Sequence, residues 1–193
     1  MRITITFALL SLFITFKLKG YEAMHEKTPI GEIKVLQLPA RTALEATSER
    51  SYFSENNGLF RTLFRYISKH DLSMTTPVEA EIEPGKMRFF VGNSDANKPQ
   101  PTTGSVSVKQ LEPSLVLAIG IRGSYNEQSF EEHREKLLEW VEQSNEYQPT
   151  GSPAYAVYWD GPFTPWFLKR SEVHLPILPV SPLSDSNQSS ENP

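Results

Sequence analysis

The chain of 193 residues contains no cysteine. That absence excludes a disulfide framework, a thiolate nucleophile, an iron–sulfur site and cysteine-ligated zinc. It leaves the compartment open, because a disulfide-free chain is at home on either side of a membrane. Basic residues are too few and too scattered for nucleic acid: 19 Lys and Arg stand against 23 Asp and Glu, giving a formal net charge of −4 and a pI near 5.6. No Lys/Arg block is dense enough to track a phosphate backbone. A G-x-S-x-G nucleophile elbow, an H-E-x-x-H zinc pair and a glycine-rich phosphate loop are also missing.

What is present begins with an apolar run. Residues 3–16 of MRITITFALLSLFITFKLKG are almost wholly apolar, preceded by Arg2 and followed by Lys17 and Lys19. The run matches a signal-peptide hydrophobic region and falls short of the about 20 residues that a straightforward spanning helix needs. Residues 1–20 are therefore expected to be a signal peptide or an N-terminal membrane anchor, which places the protein outside the cytoplasm: periplasmic, secreted or tethered. No A-x-A site follows, although Gly20 and Ala23 are small, so cleavage and retention both stand. Residues 21–30 read as a linker and 31–178 as the folded domain. The segment from Pro179, PVSPLSDSNQSSENP, has almost nothing to bury and reads as a disordered tail over 179–193.

Within the domain the chain repeats a pattern. VLQLPARTALEA (35–46) resembles VKQLEPSLVLAI (108–119), and each is followed by a polar spacer, an amphipathic helix and two further strands. The first helix is GLFRTLFRYISKH, with Phe60, Leu63, Phe64 and Ile67 on one face; the second is SFEEHREKLLEWVEQS, with Phe130, Leu137, Trp140 and Val141. Two β-β-α-β-β units with pseudo-twofold symmetry follow. The expected fold class is α+β, an eight-stranded antiparallel barrel or sandwich with two helices packed on it.

FRYISKHDLSMTTPVEAEI, KMRFFV, IRGSYNEQSFEEHREKLLEWV and VYWDGPFTPWFLKRSEVHLPI occur in that order over most of the domain. In these stretches the chain resembles the SOUL family of haem-binding proteins. The resemblance implies a distorted eight-stranded antiparallel β-barrel with two α-helices, related to the effector-binding domains of some transcription regulators. It also implies haem or another tetrapyrrole held in a shallow apolar groove beside the first helix, and no enzymatic activity.

A porphyrin needs an apolar slot for its ring and cations for its propionates, and an axial ligand only where iron is gripped tightly. On a helical wheel Arg61, Arg65 and Lys69 form an i, i+4, i+8 row beside the apolar stripe that contains Phe64. Such a rail suits an amphiphilic anionic small molecule. Among the histidines, His25 falls in the linker, His133 at a helix boundary, and His174 alternates with Val173 and Leu175 and so should point away from the core. His70 stands at the end of the helix, where it serves either as a cation on the helix dipole or as an iron ligand. Met74 begins the strand nearest the groove and is placed to touch ligand, whereas Met87 reads as core filler. The expected binding set is Arg61, Phe64, Arg65, Lys69, His70 and Met74, with no metal site formed by protein ligands alone.

The acidic groups make no mechanism. Glu131 and Glu132 read as helix surface, and Glu79, Glu81 and Glu83 as the outward face of a strand with Val78, Ala80 and Ile82 inward. Asp160 and Glu172 read as polar groups at a pocket mouth. The protein is thus expected to be a non-enzymatic monomer that meets a membrane only through its N-terminal segment. The rival readings are a ligand-free protein-interaction module at a membrane surface and a sensor of another small organic effector.

Overall fold

The strand β8 (Ser114–Arg122) reads SLVLAIGIR and is apolar on both faces. Leu117, Ile119 and Ile121 point into the larger core cluster, while Val116 and Ala118 point the other way, and all are buried. A strand of this kind must be covered on both sides. The computed structural model, which describes residues 21–55, 57–161 and 163–180, shows what covers it. The signal peptide or anchor expected over 1–20 lies outside the described residues, as does the tail expected over 179–193 apart from Pro179, which ends β11, and Val180, whose N–H donates to the Glu146 carbonyl at 2.8 Å.

The remaining strands are β1 (Glu22–Ala23), β2 (Ile33–Leu38), β3 (Arg41–Thr47), β4 (Thr75–Thr76), β5 (Val78–Glu81), β6 (Lys86–Phe90), β7 (Ser107–Leu111), β9 (Tyr147–Pro149), β10 (Tyr155–Tyr158) and β11 (Arg170–Pro179). The helices are α1 (Gly58–Lys69) and α2 (Glu127–Glu142). Eight strands form one path, β2-β8-β11-β10-β5-β6-β3-β7, with every neighbouring pair antiparallel. β9 pairs the far end of β11, and β1 lies parallel to β4. The α+β class holds, and the eight-stranded sheet is a curled half-barrel whose path ends at β2 and β7. Exchanging β2 with β7, β3 with β8, β5 with β10 and β6 with β11 reverses the path onto itself. That palindrome is a property of strand order alone.

Both helices cover one side of the sheet. α1 packs on β3 and β6, and α2 on β8, β9 and β11. The face that α1 buries is Leu59, Leu63, Tyr66 and Ile67. This corrects the expected stripe: Phe60 is only partly buried and Phe64 is 50% exposed. α2 buries Phe130, Leu137 and Val141, while Trp140 stands at the surface. Asn126 caps α2, its side-chain oxygen accepting from the Ser129 N–H at 2.9 Å. α1 is closed at its other end by Asp71, whose positive φ of 51° lets the Leu72 N–H reach the Ile67 carbonyl at 2.9 Å.

On the other side lie the chain's own residues 22–31, which corrects the linker reading. The Met24 N–H donates to the Thr76 carbonyl at 2.8 Å, and the Gly31 N–H donates to the Gly120 carbonyl at 2.8 Å, so this strap crosses the sheet from β4 to β8. Gly120 permits the crossing: a Cβ there would stand 2.3 Å from the Pro29 carbonyl oxygen.

Candidate functional site

The expected binding residues divide over three surroundings. Arg61, Phe64, Arg65 and Lys69 are all exposed on α1. Phe64 stacks on Phe60 with ring centroids 6.0 Å apart and planes 12° from parallel, and Phe60 in turn meets the edge of buried Phe89 at 5.3 Å. An outward aromatic shelf, anchored by Phe89, therefore runs beside the helix cations. His70 lies elsewhere. It is the C-terminal cap residue of α1, its ring 4.4 Å from that of Tyr66, and its Nε2 is buried with no hydrogen-bond partner among the described residues. Met74 is half-buried and packs on the core cluster beneath α1. The structure thus leaves Phe64, Arg61 and Arg65 on neighbouring exposed positions of α1, carries Lys69 round to the far flank of the helix, and packs the two candidate iron ligands elsewhere.

The shelf fits a tetrapyrrole in part. A ring can lie on Phe64, and carboxylates can meet guanidinium groups in bidentate fashion. His70 and Met74 offer no axial ligand on that face. Among the described residues no group of three or more His, Cys, Asp and Glu side chains is placed to hold a metal ion.

Two polar networks that the sequence reading did not foresee lie on the face away from the helices. Glu172 is 1% exposed and His174 0%, so Glu172 is not at a pocket mouth and His174 does not point to solvent. The Glu172 carboxylate accepts from the Thr28 N–H at 2.9 Å, the Thr28 hydroxyl at 2.8 Å and Trp159 Nε1 at 2.6 Å. His174 Nε2 lies 2.9 Å from it. Burial alone would raise the Glu172 pKa, but the bonds from His174 and Thr28 outweigh it and hold the carboxyl below its ordinary range. His25, expected in a loose linker, sits edge-on to Trp159 at 5.0 Å and 5.6 Å from the His174 ring. Burial, then the neighbouring His174, lowers its pKa, against an opposing pull from Glu172.

The second network corrects the outward placement of Glu79, which is 2% exposed. Arg41 Nη1 meets Glu79 Oε1 at 2.6 Å and its guanidinium lies 4.4 Å over the Phe90 ring. Arg88 joins Glu45 at 2.8 Å and also pairs Glu81, which Lys86 meets at 2.7 Å. Burial opposes ionisation of Glu81, yet Lys86 and Arg88 keep its pKa low. A Glu–His pair resembles half of an acid–base site, but both groups here are sealed and their hydrogen bonds are taken up by the fold. The missed signal was the cover on that face: alternation put His174 and Glu79 on the correct side of their strands, but that side is buried, and so is Glu172, the residue expected at a pocket mouth.

The fold as a whole defines an α+β half-barrel class with known relatives. It is similar to the crystal structure of the EcmrR C-terminal domain, with a TM-score of 0.62 and 17% identity over 77% of this chain and 98% of that one. An uncharacterized conserved protein from Listeria innocua superposes with a TM-score of 0.55 at 10% identity over 78% of this chain and 94% of that one. A hydrolase from Listeria innocua gives 0.52 at 11% identity, over the same shares of the two chains, 78% and 94%. At these identities the likeness is one of fold. No curated protein matches the chain. The family model described as SOUL heme-binding protein matches residues 20–176, and the chain belongs to that family.

Proposed function

We propose that the protein binds haem or a related tetrapyrrole on the outward face of α1 and catalyses no reaction. Membership of a haem-binding family over residues 20–176 supports the ligand class. The single structural observation that carries the location is Phe64, which is 50% exposed on a helix that turns Leu59, Leu63, Tyr66 and Ile67 inward. The ring rests on Phe64, backed by Phe60, and the propionates meet Arg61, Arg65 and Lys69. Bound iron keeps its own chemistry, and the protein's part is capture and orientation.

Because His70 and Met74 face away from the shelf, binding by this route does not depend on an axial protein ligand. Hemin titration of the full chain, followed at the Soret band, tests the reading. Each exposed cation is worth about 0.5–1 kcal/mol, so Arg61→Ala, Arg65→Ala and Lys69→Ala together weaken affinity about tenfold to a hundredfold. Unchanged affinity in the triple variant sinks the proposal.

A further inference from the structure

The connection between β10 and β11 carries a dense group of exposed apolar side chains. Phe163 is 99% exposed, Trp166 66%, Phe167 53% and Leu168 49%. The backbone of this loop is tied down. The Gly123 N–H donates to the Lys169 carbonyl at 3.0 Å, the Leu168 N–H to the Pro165 carbonyl at 2.9 Å, and the Arg170 N–H to Asp160 Oδ2 at 2.7 Å. Trp166, Phe167 and Leu168 are therefore presented on a fixed frame, and among the described residues nothing buries the apolar surface of this group. Isolated exposed side chains need no explanation, but a contiguous group does.

Position narrows the occupant. The registers Tyr158↔Ser171 and Tyr158↔Val78 put this loop at the end of the sheet where β5 begins. β4 immediately precedes β5, and β1 lies alongside β4. The described chain thus starts at the same end as the aromatic loop, directly after the apolar sequence 3–16 and the cations Lys17 and Lys19. Cations flank the loop: Lys169 and exposed Arg122 adjoin it, and Lys27 lies 5.0 Å over the Trp159 ring. Aromatic side chains rimmed by Lys and Arg suit the boundary between headgroups and acyl chains.

We infer that residues 163–168 form a membrane-interface contact, inserting Phe163, Trp166, Phe167 and Leu168 among the headgroups of an anionic bilayer while Lys27, Arg122 and Lys169 face lipid charge. The loop is a second membrane signal besides residues 3–16, and it fixes which end of the domain faces the bilayer. It is independent of tetrapyrrole binding.

The test uses the full chain on vesicles of phosphatidylcholine and phosphatidylserine, with bromine-labelled acyl chains quenching tryptophan emission. Trp166 is in the loop, Trp159 is 4% exposed, and Trp140 is on the last turn of α2, whose exit leads to β9 at the opposite end of β11. Quenching is expected in the native protein and lost in Trp166→Phe. Phe163→Ser with Phe167→Ser and Leu168→Ser is expected to lower vesicle partitioning at least about tenfold. Quenching that survives Trp166→Phe overturns the inference. So does a native protein that is not quenched because residues 3–16 fold back over the loop. A loop that instead joins two copies, shown by a dimer in sedimentation that the serine variant dissociates without loss of partitioning, also overturns it. The conservative Trp166→Phe keeps the test valid should the serine variant fold poorly.

Discussion

Thr28 holds Glu172 at both oxygens, its backbone N–H donating to Oε1 at 2.9 Å and its hydroxyl to Oε2 at 2.8 Å. These two bonds fasten the strap to β11 over a buried carboxylate. Glu172→Ala leaves Trp159 Nε1, the Thr28 donors and His174 without their buried partner, and a loss of about 3–5 kcal/mol is expected in urea unfolding. Thr28→Ala removes one hydroxyl bond and costs about 1 kcal/mol. Gly120→Ala, which drives a Cβ into the Pro29 carbonyl, should raise amide exchange across residues 24–31.

Stability should fall in mild acid, with His25 the first cause. Its folded pKa lies below the ordinary 6.5, chiefly through burial, so the unfolded chain takes up a proton at a higher pH than the folded one does. The contribution is whole above pH 6.5 and is lost as pH falls through the depressed folded value. Glu172 adds a second loss at lower pH, starting at its ordinary 4.5 and ending below its depressed folded pKa. His25→Phe should flatten the first step of the stability–pH curve, measured by denaturant titration, and leave the second.

The buried Arg41–Glu79 pair should be worth less than its removal suggests. Arg41→Ala strands Glu79, whose next cation is Arg88 at 3.9 Å, and a cost of about 3–5 kcal/mol is expected. Arg41→Met with Glu79→Leu replaces both charges and should cost far less than the two single changes summed. A double-mutant cycle by urea unfolding measures the difference.

Neighbouring residues on α1 should separate folding from binding. Leu63 is 0% exposed, so Leu63→Ala should cost about 2–5 kcal/mol of stability. Phe64→Ser should change stability little, since half that side chain is already in water, and should weaken hemin binding. Thermal unfolding and Soret titration on the same two variants check both halves.

Much of this arrangement was legible in the sequence, because helical and strand periodicities record which side chains face a core. The expected first helix, 58–70, matches α1 to its C-terminal cap residue, and Met87, Phe89 and Val91 do share one core-facing side of β6 and its continuation. Phe64 was placed on the buried face because an apolar side chain at helical spacing looks the same from either flank. The centre of burial lies instead at Leu59, Leu63, Tyr66 and Ile67. The strap was illegible for another reason. YEAMHEKTPIG has no apolar period, and what holds it includes hydrogen bonds between Thr28 and Glu172, separated by 144 positions in the chain. For want of that cover Glu79 and His174 read as solvent-facing, and Glu172 as a pocket-mouth residue.

The most direct measurement of the central claim is residue-specific broadening of backbone amide NMR signals when paramagnetic hemin is added in substoichiometric amount. Amides around Arg61, Phe64 and Arg65 are expected to broaden first, with those of the strap and of β11 near His174 unaffected. Broadening centred on His25, Thr28 and His174, with α1 untouched, would place the ligand beneath the strap and contradict the account.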